Sequence, residues 1–234
     1  MARSRRVVDA GILHHVMARG NGRMEIFLDS VDYRKFLAIL RDIVEELDIE
    51  CWNYCAMPNH YHATLRPMRR NLSEAMRRIN GTYAQWWNRR HGRVGHVFQG
   101  RYKDQLVQTD GYALALCRYI ALNPVRAGLA EHPEDWEWSS YRATIGLQLA
   151  PPFLAVASVL RQFGDGEEEA LRGRLCAYVL GGSSPDGLDD RIRSSERVLG
   201  DKPFKAAVRT LAGGTGTFAA VLTEMDIQTL DGQL

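Results

Sequence analysis

Two residues, Pro58-Asn59, separate the runs "IECWNYCAM" (49–57) and "HYHATLRP" (60–67). Both runs are rich in aromatic and β-branched residues, and so short a connection forces two antiparallel strands to lie side by side. In a strand, residues i and i+2 point the same way, roughly 6.5–7 Å apart along the chain. His60 and His62 therefore share one face, and Tyr61 takes the other. This hairpin constrains the fold more than any other stretch, because everything around it must cover or extend those two strands.

The flanking segments supply the rest of a layered domain. "ILHHVMARGN" (12–21) reads as a strand ending at a Gly-Asn turn. In "DSVDYRKFLAILRDIVEEL" (29–47), Tyr33, Phe36, Leu37, Leu40, Ile43, Val44 and Leu47 recur at three- and four-residue steps. This is an amphipathic helix that Asp29 or Ser30 can cap. A second helix, 71–92, carries an apolar stripe of Leu72, Ala75, Met76, Ile79, Tyr83 and Trp86 or Trp87. Arg77, Arg78, Arg89 and Arg90 form its basic side. "GHVFQGRYKDQLVQ" (95–108) reads as a long strand with a break at Gly100. "TDGYALALCRYIALNP" (109–124) reads as a short helix with Asp110 as cap, and Pro124 should push Asn123 out of helical geometry.

The order β-α-β-β-α-β-α predicts an α+β domain: a ferredoxin-like or RRM-like antiparallel sheet with helices on one face. "EHPEDWEWSSYRATIG" closes this unit, so residues 1–146 form one domain. "LAPPF" (149–153) is a linker. Residues 147–234 form a smaller, mainly helical C-terminal extension interrupted by the Gly/Ser/Asp-rich run 181–204.

Charge narrows the partners. Residues 1–129 hold 20 Lys/Arg and 12 Asp/Glu, residues 130–234 hold 10 and 16, and residues 60–103 hold ten basic residues against Glu74 alone. A basic run beside the histidine pair points to an anionic polymer. No apolar run is long enough to span a membrane, and no h-region follows the basic N-terminus. The four cysteines lack the spacing of a disulfide framework, as expected of reduced thiols in a cytoplasmic protein.

Three chemistries compete for the histidines. Structural zinc would need Cys51, Cys55, His60 and His62 around one point, but on a strand the two cysteines lie roughly 13 Å apart. A two-histidine phosphodiesterase needs a second His-x-Ser/Thr motif, and only "HAT" (62–64) fits. The third is a divalent ion held by the pair, with a nucleophile elsewhere. Tyr119 and Asn123 in "RYIALNPVRAGL" (118–129) stand at i, i+4 on one helix face. The amide oxygen could complete an open coordination sphere, and the phenol could attack a phosphorus. Spacing alone favours a simpler view, with Tyr119 a half-buried core residue and Asn123 a helix cap.

Resemblance changes that balance. "MPNHYHATLRP" resembles the His-hydrophobe-His motif of the HUH endonucleases, and "RYIALNPVRAGL" resembles the tyrosine helix of their single-tyrosine transposases. "VMARGN" (16–21), "YAQWWNRRHGRVGHVFQGRYK" (83–103) and "WEWSSY" (136–141) resemble the REP-associated tyrosine transposases in particular. The likeness covers residues 12 to about 146. It implies cutting of single-stranded DNA at hairpin-forming palindromes through a 5′-phosphotyrosine, with Mg²⁺ or Mn²⁺ and no small-molecule organic cofactor. It assigns Tyr119 as nucleophile and His60, His62 and Asn123 as metal ligands. Arg19, Asn21, Arg77, Arg78, Arg101 and Lys103 become the DNA-contact candidates. Tyr61 departs from the usual aliphatic middle residue, and its parity turns it inward. Two other readings remain: a DNA-hairpin-binding protein without cleavage activity, which the joint presence of His60, His62 and Tyr119 argues against, and an RNA-binding module, for which the aromatic RNP pattern is missing.

Overall fold

The computed structural model describes residues 10–109, 111–181, 188–194 and 196–213. Five strands form one sheet in the order β2-β3-β1-β4-β5. They are β1 (Leu13–Arg19), β2 (Ile49–Met57), β3 (His60–Pro67), β4 (Lys103–Val107) and β5 (Val198–Leu199). The first four are antiparallel in the ferredoxin-like order, and β5 adds in parallel to β4. The hairpin β2–β3 has the bounds its sequence implied. β5 had no sequence signal, because a two-residue strand shows no period.

Helix α1 (Ser30–Glu46) starts where Asp29 caps it: the Asp29 carboxylate accepts from the backbone N–H of Val31 at 2.9 Å and of Asp32 at 3.2 Å. Helix α2 (Leu72–Arg90) packs beside it. Both bury their apolar stripes against one face of the sheet, on Val16, Ala18, Tyr54, Ala56, Tyr61, Ala63 and Leu65. Tyr61 is buried there, 4.5 Å from Phe36 between ring centroids, and its hydroxyl donates to Asn80 Oδ1 at 2.6 Å. Strand parity predicted this inward turn, and burying such a ring stabilises the fold by about 1.5–3 kcal/mol.

Helix α3 (Gly111–Ala121) lies across the opposite face, on Leu13, Trp52, Cys55, Met57 and Val107. A bulge in β2 between Cys51 and Asn53 makes the two faces of that strand unequal, with Cys51 in the α1/α2 core and Trp52 under α3. Cys51 thus points away from the histidines. The four cysteines are free thiols, and no helix among the described residues is long and apolar enough to cross a membrane.

Three sequence expectations need correction. The element order places the helices on one face of the sheet, but α3 covers the other, because Leu116 and Ile120 pack on Leu13, Trp52 and Val107 there. The long strand over 95–108 is only Lys103–Val107, with a single bridge from Gly20 to Phe98 before it. Gly95 and Gly100 take positive φ (94° and 83°) and turn the chain, so Val97, Phe98 and Tyr102 plug the α1/α2 core instead of extending the sheet. Nor does Pro124 expel Asn123 from helical structure. After a break at Leu122 the chain resumes as α4 (Asn123–Arg126), with Pro124 in its first turn, where a missing N–H costs nothing. The Asp110 cap lies outside the described residues.

The chain continues through α5 (Tyr141–Thr144), α6 (Val156–Leu160), α7 (Glu168–Leu180), α8 (Leu188–Arg193), β5 and α9 (Lys202–Gly213). "WEWSSY" seals the exposed edge of β2: the Trp136 indole donates to Ala56 O at 2.9 Å, Ala56 N–H donates to Trp138 O at 2.9 Å, and Tyr54 N–H donates to Ser140 Oγ at 3.0 Å. Helix α8 packs on α3, where Asp189 pairs with Arg126.

Candidate active site

The α3 face of the sheet carries a row of residues set by strand register. His62 on β3 stands opposite Met17 on β1, which stands opposite Lys103 on β4; one step along, His60 stands opposite Arg19. The next row holds Thr64, His15 and Gln105. β1 can bring Arg19 to the edge of this face because it ends at Gly20. A Cβ there would lie 2.1 Å from Met24 O, so no larger residue fits the turn that follows.

The two histidine rings are 5.0 Å apart between centroids. Each Nδ1 has a partner: Asn59 Oδ1 at 2.6 Å for His60, and His15 Nε2 at 2.8 Å for His62. His15 Nδ1 in turn meets Gln105 Oε1 at 2.7 Å. The pKa of His15 and of His60 is depressed to about 4 each, chiefly by burial and, for His60, also by the nearby Arg19 cation. His62 falls well below the ordinary histidine value, first through burial and then through its cationic and imidazole neighbours. All three rings are therefore neutral at pH 7, each with one bare nitrogen. Only 3% of the His62 surface is exposed, because α3 roofs it.

Tyr119 comes from that roof. Its ring stands edge-on to His62, with centroids 5.8 Å apart, and edge-on to His15 at 6.4 Å. Burial raises the phenol pKa above its ordinary value, while Arg193, Arg126 and a hydrogen bond with Asn123 oppose the rise. The Arg126 guanidinium sits 5.3 Å from the ring centroid. Asn123 keeps its Nδ2 buried without a partner. A second network braces α3 on the sheet: Thr64 Oγ1 donates to Asn53 Oδ1 at 2.7 Å, and Asn53 Nδ2 donates to Cys117 Sγ at 2.8 Å.

The structure thus gathers His60, His62, Tyr119 and Asn123 from β3, α3 and α4, with Arg19 and Lys103 on the same face. Asn21 and Arg101 are exposed just beyond them. Arg77 and Arg78 are not brought to this group. They lie on α2, beneath the other face, and Arg78 is bound to Glu46 at 2.5–2.8 Å. Trp87, Phe98 and Tyr102 are core residues and offer no ring to a bound base.

Sequence reasoning missed four contributors. His15 had a signal, since strand parity places it on the same face as Met17 and Arg19. Arg126 had one too, at i+7 from Tyr119. Gln105 and Arg193 had none, because only the tertiary fold brings them near.

Comparison with known proteins bears on the fold that carries these residues. Residues 10–123 match the family model described as IS200-like transposase. Among solved structures, a REP-associated tyrosine transposase bound to a REP hairpin superposes with a TM-score of 0.55 at 18% identity, covering 66% of this chain and 92% of that one. No curated protein sequence matches the chain. The sheet strands β1 to β4, the histidine pair on β3 and helix α3 all lie within the matched span, and over residues 10–123 the chain is similar to the IS200-like transposases.

Proposed function

We propose that this chain is a metal-dependent single-stranded DNA nicking and joining enzyme that acts on hairpin-forming palindromes, with Tyr119 as nucleophile. The observation that carries the reading is the edge-on placement of Tyr119 over His62, 5.8 Å between ring centroids, on the one sheet face that also presents His60, Arg19 and Lys103. The REP hairpin bound by the solved relative supports a folded DNA partner.

The residues suit a divalent ion. Neutral imidazoles on one face offer bare nitrogens, and Asn123, hydrogen-bonded to Tyr119, carries an amide oxygen that would be its metal-binding atom. His60, His62 and Asn123 would hold Mg²⁺ or Mn²⁺, which neutralises charge on the scissile phosphate. Arg19 and Lys103 bind the flanking phosphates. Arg126 and Arg193 lower the cost of ionising Tyr119, whose oxygen forms a bond to phosphorus as the bond to the 3′-oxygen breaks. The phenolic proton leaves to solvent and the 3′-oxygen gains one. The phosphotyrosine conserves the bond energy, so a second 3′-hydroxyl can reverse the step and join strands without ATP.

Incubation with labelled single-stranded hairpins and Mn²⁺ tests the reading. A covalent protein–DNA adduct that requires Tyr119 and a free 3′-hydroxyl product is the expected result. Hairpin binding with no adduct under any divalent ion would make the chain a DNA-binding protein only.

A further inference from the structure

The amides that contact the histidines are themselves held in one orientation. Gln105 Nε2 donates to the backbone carbonyl of Glu196 at 2.8 Å and, more weakly, to that of Ser194 at 3.4 Å. Reversing the amide would set its oxygen against those two carbonyl oxygens. Oε1 must therefore face His15 Nδ1, and it can only accept, so His15 carries its proton there. The Nε2 of the neutral ring is then bare and accepts from His62 Nδ1–H, and the lone pair of His62 is left on Nε2. The same logic governs His60. Asn59 Nδ2 donates to Arg23 O at 3.2 Å, so Asn59 Oδ1 accepts from His60 Nδ1–H and leaves Nε2 bare.

We propose that Gln105, through His15, and Asn59 are positioning residues that set the tautomers of His62 and His60, and that the backbone at Glu196, carried in by β5, clamps Gln105 for that task. The proposal rests on the reading of His60 and His62 as metal ligands. It gives the C-terminal extension a part in the site: β5 docks through Leu106 N–H to Arg197 O and Gln108 N–H to Leu199 O, both at 2.8 Å, and so brings the Glu196 carbonyl within reach of Gln105. A histidine ligand needs its other nitrogen partnered in this way, and loss of such a partner weakens metal affinity by about 10–100-fold.

The test uses the full chain without metal and then with Mn²⁺. Long-range ¹H–¹⁵N spectra of the imidazoles should show His15, His60 and His62 protonated on Nδ1 alone. In Gln105→Met, His62 should lose its single tautomer and Mn²⁺ dissociation constants should rise by about 10–100-fold. His15→Leu should do the same, and His15→Gln, whose Oε1 takes the place of Nε2 as acceptor, should recover most of the affinity; this pair decides the matter if Gln105→Met fails to fold. Leu199→Asp, which undocks β5, should weaken Mn²⁺ to a similar extent. A wild-type His62 protonated on Nε2, or variants whose tautomers and Mn²⁺ affinity match the wild type within twofold, would overturn the relay. If the wild type binds no Mn²⁺ through His60 and His62, the metal reading falls, and the tautomers alone decide the relay.

Discussion

The ring of Tyr119 meets that of His62 edge-on, at an interplanar angle of 87°, so the phenol is held by the same wall that holds the imidazole. Removing only its hydroxyl leaves the wall intact. We expect Tyr119→Phe to lose cleavage and adduct formation while hairpin affinity stays within about threefold, a change of under 1 kcal/mol. Adduct gels and a binding titration measure the two. An adduct that survives in the Phe variant would place the nucleophile elsewhere, with Tyr112 the first residue to test.

The two histidines should differ in their structural cost. His62 is roofed by α3 and donates to His15, so His62→Ala opens a cavity and leaves His15 Nε2 without its donor. A loss of about 1–3 kcal/mol in folding stability is expected. His60 lies at the rim, and His60→Ala should cost under about 1 kcal/mol. Both should abolish metal-dependent cleavage. Urea unfolding beside cleavage assays separates the effects; equal stability losses would mean the face is more uniformly packed than its burial indicates.

Salt dependence should report which face meets DNA. Each phosphate neutralised on a single strand contributes about −0.7 to the log–log slope. The double variant Arg19→Ala/Lys103→Ala should flatten the slope by about 1.4 units. Arg77→Ala/Arg78→Ala should change it far less, because α2 lies beneath the opposite face and Arg78 is engaged by Glu46. The reverse ranking in a salt series would put the DNA on the α1/α2 side.

Away from the site, Asp32 joins the start of α1 to the end of α2. It is fully buried, accepts from Leu28 N–H at 2.8 Å and is paired with Arg90 and His91. Asp32→Ala would strand those donors, and we expect a loss of about 2–4 kcal/mol. Neighbouring Asp29 is held at about 2, below its ordinary 3.8, chiefly by the hydrogen bond from Arg90. Its contribution is whole above about pH 4 and is lost as pH falls through about 2. Equilibrium unfolding between pH 7 and pH 2 measures both; an Asp32 variant as stable as the wild type would show that the helix pair does not depend on this junction.

Local pattern alone determined much of this protein. Period two put His60 and His62 on one face and Tyr61 on the other. Three- and four-residue steps drew α1 and α2, and the i, i+4 spacing put Tyr119 beside Asn123. These are relations between neighbours in sequence, set by the geometry of one strand or one helix. Local pattern could not place α3 over the histidines, since an apolar helix fits either face of a sheet. Nor could it show that Gly95 and Gly100 would fold Phe98 and Tyr102 into the core, where the run reads as a strand. The chain Glu196–Gln105–His15–His62 was equally hidden. It crosses β4, β1 and β3, whose adjacency comes from the sheet order, and it ends at Glu196, two residues before the two-residue strand β5. Such contacts exist only once distant segments have paired, so the tertiary structure alone decided which nitrogens of His15 and His62 are taken, whereas His60 is partnered by its sequence neighbour Asn59.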